Sequence, residues 1–305
     1  MRIFVTGASG FLGSYLVAEL LEHGHQVAVL LRPGADPWRI SEQLSRLTTI
    51  TGDFDDIETL RGPLTAFQPD AVAHLAWRGV GNADRNSPIQ AYNIPDTLDL
   101  AALSMKAGAT IFVGAGSQAE YGPYSRSIRE SDVPGPTTLY GRAKLAAGAM
   151  AGQLCAEGGA RFAWLRIFST YGPKDAPNWL IPSMMRTLRE GKRMSLTQCE
   201  QRWGFLHARD AASAFRLAIT RDAAEGVFNL GSYEAPPLRE TVTALRDLVN
   251  PNADLGFGDI PYRRDQVMIL QADISRLEAL GWRPQIGLQE GLSETVTWYN
   301  AHQRN

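Results

Sequence analysis

Apolar positions along the chain follow two rhythms that alternate. Short β-rich runs, the first at residues 2–6 with Ile3, Phe4 and Val5, give way to stretches in which apolar residues return every three or four positions. Leu12, Leu16, Val17, Leu20 and Leu21 share one side of a helix that runs to His23. Further strands are predicted at residues 26–31, 47–51, 71–76, 110–113 and 161–168. Helices are predicted to open near Asp56 and to cover residues 89–106. This alternation argues for an α/β fold built on a parallel, doubly wound sheet. Beyond Tyr171-Gly172-Pro173 the rhythm loosens, with helices at 178–191, 207–219 and 288–299 and a strand at 226–231. The C-terminal third therefore reads as a smaller lobe, partly interleaved with the first. The expected division is 1–170 plus 204–231 for the sheet domain and 171–203 plus 232–305 for the lobe.

The turn after the first strand, Gly7-Ala8-Ser9-Gly10-Phe11-Leu12-Gly13, joins strand to helix. Glycines at this spacing permit a tight turn and let backbone N–H groups approach a pyrophosphate at a helix N-terminus. With a second strand at 26–31, the pattern is that of a dinucleotide-binding Rossmann sheet. A carboxylate at the tip of that second strand would read the ribose 2′-hydroxyl of NAD. The tip here is Leu31-Arg32-Pro33-Gly34, and Arg32 can pair with a 2′-phosphate. NADP is therefore the preferred cofactor; NAD stays open if Asp36 turns back to the hydroxyl. Asp53 is a candidate for an adenine contact or for a helix cap, and Asp56 for a cap. The strand at 71–76 leads to Trp77-Arg78-Gly79, where a parallel sheet puts its ligand edge.

Composition narrows the partners. A chain of 305 residues, 44% hydrophobic and with a net charge of -2, can bury a sizeable core and lacks the basic bias of a nucleic-acid binder. No apolar run is long enough to span a bilayer, and strand-like residues follow Met1 directly, so no membrane partner, no signal peptide and a cytoplasmic location are expected. Cys155 and Cys199 have no metal or redox spacing, and His23 and His25 read as loop imidazoles, so no metal site is expected.

Tyr140 and Lys144 lie four apart in a predicted helix, on one face. An ammonium beside a phenol lowers the phenol's pKa and makes it a usable proton donor or acceptor. These residues belong to a longer series: TGASGFLG at 6–13, HLAW at 74–77, Asn93, GSQAEYG at 116–122, YGRAK at 140–144, RIFSTYGP at 166–173, Arg202 through Asp210, and LGWRP at 280–284. In order and spacing the chain resembles the extended short-chain dehydrogenase/reductase family of nucleotide-sugar epimerases, dehydratases and ketoreductases. The resemblance implies a smaller C-terminal substrate-binding lobe and three catalytic residues. Ser117 would hydrogen-bond the reacting oxygen, Tyr140 would act as acid or base, and Lys144 would support Tyr140 and hold the nicotinamide ribose.

The same resemblance implies cofactor contacts from Gly7, Ser9, Gly10, Phe11, Leu12 and Gly13, from Arg32, Asp53 and Phe54, and from Leu75, Ala76, Trp77, Asn93 and Ile167. Asn93 has an alternative role as a bridge between helix and sheet, and Ser117 as a loop cap. A nucleotide-diphosphate sugar is expected to meet Arg78, Gln118, Ala119, Asn178, Arg202 and Arg264; for Arg264 and its neighbour Arg263 a surface role is the alternative. Where dehydratases carry an acidic pair after the hydroxyl residue, this chain has Gln118 and Ala119, neither an acid nor a base; Ser169 stands at a family asparagine. Dehydration is thereby disfavoured. The expectation is NADPH-dependent reduction of a nucleotide-linked 4-keto sugar, a 6-deoxyhexose among the candidates. The alternatives are a C4 epimerase with retained NAD, and a non-catalytic NAD(P)-sensing protein. Relatives dimerise through the helices carrying Asn93 and Tyr140, so a homodimer is expected through Leu98, Leu100, Ala101, Leu103, Ala146, Ala147 and Met150, unless these pack on the sheet.

Overall fold

The computed structural model describes residues 1–263 and 266–302. Its strands in chain order are β1 (Arg2–Thr6), β2 (Gln26–Leu31), β3 (Thr48–Thr51), β4 (Ala71–His74), β5 (Ile111–Ser117), β6 (Arg161–Ile167) and β7 (Ser169–Tyr171). They continue with β8 (Met194–Leu196), β9 (Arg202–Trp203), β10 (Phe205–His207), β11 (Gly226–Leu230), β12 (Leu255–Phe257) and β13 (Ile269–Leu270). The helices are α1 (Phe11–Glu22), α2 (Arg61–Phe67), α3 (Asn93–Lys106), α4 (Leu139–Glu157) and α5 (Leu180–Arg189). After these come α6 (Ala208–Thr220), α7 (Leu238–Val249), α8 (Ser275–Ala279) and α9 (Leu288–Ala301).

Seven strands form one sheet in the order β11-β6-β5-β4-β1-β2-β3, all neighbours parallel. Ile3 of β1 is in register with Val27 of β2 on one side and Ala71 of β4 on the other. The winding therefore reverses between β1 and β4, and the crevice beyond their C-terminal ends is where a doubly wound sheet takes its ligand. Both faces of β1 are dry: Ile3 and Val5 enter the core under α1 and α6, whereas Phe4 enters the opposite core with Leu100 and Ala147 of α3 and α4. A third core gathers Ile181, Met184 and Met185 of α5, Val242 of α7 and Leu292 and Val296 of α9. Two-stranded parallel ladders, β8 with β12 and β9 with β13, flank it.

Several details differ from the sequence expectations. Leu270, Ala272, Ile274, Leu277 and Trp282 pack on the sheet's first core, because α8 lies against β11 rather than against the third core. The LGWRP segment is tied there too, with the Trp282 indole donating to Ser213 (2.9 Å) and Asp210 accepting N–H groups of Gln285 and Ile286. Asp53, rather than Asp56, caps the short turn after β3, accepting the Asp55 N–H, and Asp56 sits at a kink within that turn. Leu100, Ala101, Leu103 and Ala147 are turned onto the sheet, while Met150 is half-exposed. Among the described residues no helix is long and apolar enough to cross a membrane.

Candidate active site

A cavity of about 1170 Å³ follows the C-terminal edge of the sheet into the smaller lobe. The turn after β1 forms its first wall. Gly7 has a positive φ of +73°, and a Cβ there would stand 2.6 Å from the Ala76 nitrogen, so only glycine lets this turn press against the chain after β4. Gly10 is the N-cap of α1 and provides no side-chain cap, so the helix's first N–H groups are left to bind an anion. Ser9, Phe11, Leu12 and Gly13 line the same wall, facing Leu75, Ala76 and Trp77, with Asp53, Phe54 and Ile167 further along. Arg32 lines the adenosine end, and among the described residues its guanidinium has no partner. Asp36 does not turn back to a ribose; its carboxylate accepts the Trp38 N–H at 3.0 Å. A long cleft with a glycine cradle and exposed helix N–H groups fits a dinucleotide.

Two buried groups shape that wall without lining it. His74 bonds Thr6 through Nδ1 (2.8 Å) and Thr97 through Nε2 (3.1 Å), and burial lowers its pKa to about 3, so it is neutral. Thr6 Oγ1 also accepts the Ala76 N–H, which carries this order to the cleft. Asn93 does not face the cavity: its Oδ1 accepts the Arg78 N–H (2.7 Å) and its Nδ2 donates to the Arg78 carbonyl (3.1 Å). It is the bridge between helix and loop, and any effect on a cofactor passes through the loop it clamps.

Ser117 ends β5, and Tyr140 and Lys144 project from the first turns of α4, whose start is capped by Thr138 accepting the Gly141 N–H. All three line the cavity. Lys144 is buried; its Nζ donates to the Ala115 carbonyl at 2.6 Å and sits 3.6 Å from the centre of the Trp77 indole. Burial pulls its pKa down to about 7, against the opposing pull of Glu120. The expected effect of Lys144 on Tyr140 takes another form here. Burial holds the phenol's pKa above its ordinary value; the hydrogen bond with Ser117 and then the Arg85 guanidinium oppose that rise only in part, while the Lys144 ammonium is engaged by Ala115 and Trp77. Arg85, absent from the sequence expectations, lies 5.6 Å over the Tyr140 ring with its buried Nε unpartnered among the described residues, while its carbonyl accepts the Tyr140 N–H.

Toward the smaller lobe the sequence placed residues less well. Arg78 lines the cavity, but its guanidinium is held by Asp96 (2.7 Å), Asp55 (2.8 Å) and Asp53 (3.6 Å), which the loops after β3 and β4 bring together. Gln118 lines the cavity, whereas Ala119 is buried behind it. Asn178 is exposed and off the cavity; the neighbouring Trp179 lines it. Arg202 is likewise exposed and off the cavity, since Gln201, Trp203 and Phe205, alternate residues from just before β9 to the start of β10, take the inward positions. That period of two, with its aromatic side, was the signal available in the sequence. Arg264 lies outside the described residues, and Arg263 lines the cavity. Asp175 also lines it, with burial raising its pKa to about 7 despite the Ala176 N–H and Arg39.

The NAD dependent epimerase/dehydratase family matches residues 3–231, and the chain belongs to that family, an enzyme of the extended short-chain dehydrogenase/reductase kind. It is 28% identical to a UDP-glucose 4-epimerase of Halalkalibacterium halodurans, covering 99% of this chain and 96% of that one. It is 25% identical to a GDP-6-deoxy-D-mannose reductase of Pseudomonas aeruginosa over 99% of this chain and 98% of the relative. The crystal structure of Thermus thermophilus UDP-glucose 4-epimerase in complex with NAD superposes with a TM-score of 0.86 at 25% identity, covering 98% of this chain and 99% of that one.

Proposed function

We propose that the protein reduces a nucleotide-linked 4-keto sugar at the expense of NADPH. The observation that carries the cofactor choice is the uncommitted Arg32 at the end of β2, where no carboxylate stands to repel a 2′-phosphate. The glycine turn and the N-terminus of α1 would hold the cofactor diphosphate, and Lys144 its nicotinamide ribose. A bound nicotinamide supplies the hydride. Tyr140 gives its proton to the oxygen that becomes the hydroxyl, and Ser117 holds that oxygen by a hydrogen bond. The Arg85 cation, over the Tyr140 ring, favours the phenolate left behind. Gln118 and the apolar Ala119 offer no acid or base for eliminating water, which supports reduction over dehydration. Arg263 is the described cation best placed for the substrate's diphosphate, with Trp179 and Trp203 for its base.

Loss of reduced-nicotinamide absorbance, with NADPH or NADH and a panel of nucleotide 4-keto sugars, tests the reading. NADPH should be preferred. Arg32→Ala should raise the KM for NADPH about tenfold to a hundredfold and leave NADH unchanged, as expected for charge-assisted bonds of about 1.5–3 kcal/mol. Equal use of both cofactors by the unaltered enzyme would overturn the NADPH assignment. A second reading, C4 epimerisation with retained NAD, draws support from the similarity to the Halalkalibacterium epimerase. Purified protein that carries NAD through gel filtration, and interconverts nucleotide sugars without added cofactor, would establish it instead.

A further inference from the structure

The reaction described above makes no use of Glu120, yet its carboxylate is among the most thoroughly enclosed in the chain, with 0% of the residue exposed. Oε1 accepts the Ser117 N–H at 2.8 Å and the Trp164 indole N–H at 3.0 Å, and Oε2 accepts the Arg166 Nε–H at 2.6 Å. A buried carboxylate is tolerated only when its oxygens are bonded this completely. The surroundings are shaped for it. A Cβ at Gly114 or Gly116 on β5, or at Gly148 on α4, would collide with the Trp164 ring, so both elements leave room for the indole that reaches Glu120. The Arg166 guanidinium in turn lies 4.4 Å over the Tyr121 ring, whose hydroxyl donates to Asn229 at 2.7 Å.

Capping the short turn after β5 does not require this construction, because Ser117 Oγ already accepts the Ala119 N–H there. What the network adds is a fixed carboxylate, paired with Arg166, beneath the catalytic side chains. Lys144 approaches from α4, its Nζ 5.9 Å from the centre of the same Trp164 ring that bonds Glu120. The other ionisable groups on this cluster are Arg166 on β6, Tyr121 beside Glu120, Tyr140 on α4, Arg85 over Tyr140, and the neutral His74 of β4, which feels the Lys144 charge.

We propose that Glu120 is a positioning residue: its carboxylate anchors the Ser117 end of β5 and supplies the buried negative charge that holds the protons on Tyr140 and Lys144. The inference rests on assigning Ser117, Tyr140 and Lys144 to the reaction, and it is the same for a reductase or an epimerase. Glu120 acts on both protons in one direction, raising the pKa of Lys144 and of Tyr140. Without its charge both groups lose their protons at lower pH.

The test compares kcat against pH for the full chain, Glu120→Gln and Glu120→Asp, with saturating cofactor and substrate. In Glu120→Gln the alkaline limb should move down by about one pH unit, the size of effect a nearby charge exerts. Glu120→Asp keeps the charge and should return the limb to its original position even where kcat is lower. Glu120→Gln leaves Arg166 unpaired, so the double variant Glu120→Gln/Arg166→Met, which neutralises the pair, is the version expected to keep the fold. It should show a downward shift smaller than that of Glu120→Gln alone, because the Arg166 cation is removed together with the carboxylate. A uniform fall in kcat with unmoved limbs in folded variants would reduce Glu120 to a structural cap and overturn the proposal. If no nucleotide sugar is turned over, the proposed reaction fails separately. The Tyr140 phenolate absorbance, read as the difference from each Tyr140→Phe counterpart, still reports whether its titration moves down without Glu120, and an unmoved titration overturns the proposal.

Discussion

At the glycine-turn end the cavity wall is main chain and short side chains delivered by the strand ends of one continuous sheet, whereas at the lobe end it is large side chains from separate ladders and helices. Gly7, Leu75 and Ala76 belong to the first kind of wall; Trp179, Trp203, Phe205 and Leu238 belong to the second. The first wall is stiffened by buried polar bonds, with Thr6, His74, Thr97 and Asn93 joining β1, β4, α3 and the loop after β4. The second surrounds an apolar core of its own. A wall of backbone N–H groups recognises phosphate and ribose, which all dinucleotides share. Under the proposed function, a wall of tryptophan, glutamine and an occasional arginine would meet the parts that differ between substrates. The contrast teaches where change is tolerated in this fold: selectivity can be rebuilt at the lobe end without disturbing the sheet.

The strongest way to break this contrast is at the junction of the two walls. Tyr140→Phe should lower turnover by about 10²–10⁴-fold while leaving cofactor affinity, followed by nicotinamide fluorescence, nearly unchanged. A parallel loss of cofactor binding would mean that Tyr140 belongs to the first wall rather than to the chemistry. A smaller effect sharpens the lobe end. Trp203→Ala should raise the KM for the nucleotide sugar about tenfold, since truncating a buried aromatic contact costs roughly 1.5–3 kcal/mol, and Arg202→Ala should leave it alone. The reverse pattern would show that the strand presents its other face to the substrate.

The smallest effect concerns stability at Asp175. Its folded pKa is raised to about 7 from 3.8, so the folded protein binds the extra proton between those values. Asp175's contribution to stability is therefore fully present below about pH 3.8, its unfolded value, and is lost as the pH rises through about 7. Asp175→Asn removes this slope. Urea unfolding should find the variant about 1–2 kcal/mol more stable than the parent at pH 8 and equal to it at pH 4, because cavity water moderates a penalty of about 1.4 kcal/mol per pH unit. A gain of the same size at both pH values would locate the effect in packing.

Much of the first wall could be read from the chain, because its elements are local. A strand, a glycine turn and a helix occupy consecutive residues, and period-two and period-four patterns reveal which positions are buried. Ser117, Tyr140 and Lys144 were legible because their spacing is that of a family motif. Errors clustered where recognition depends on partners distant in sequence. Arg78 lines the cavity, yet nothing local in the sequence shows that Asp53, Asp55 and Asp96 hold its guanidinium. Arg202 reads as a ligand residue until the pairing of β9 with β13 turns Trp203 inward. Arg85 and Asp175 sit in irregular loops with no period to betray them.

By itself, then, the sequence determined the parallel sheet, the glycine turn after its first strand and three residues, Ser117, Tyr140 and Lys144, that line one cavity, since each follows from patterns within a few residues of chain. Only the tertiary structure decided which charges are neutralised, which carboxylate lies beneath those three residues, and which side chains line the lobe end of the cavity. Those outcomes depend on burial and on the distance between groups brought together from remote positions, and electrostatic energy is set by that distance and burial rather than by order along the chain.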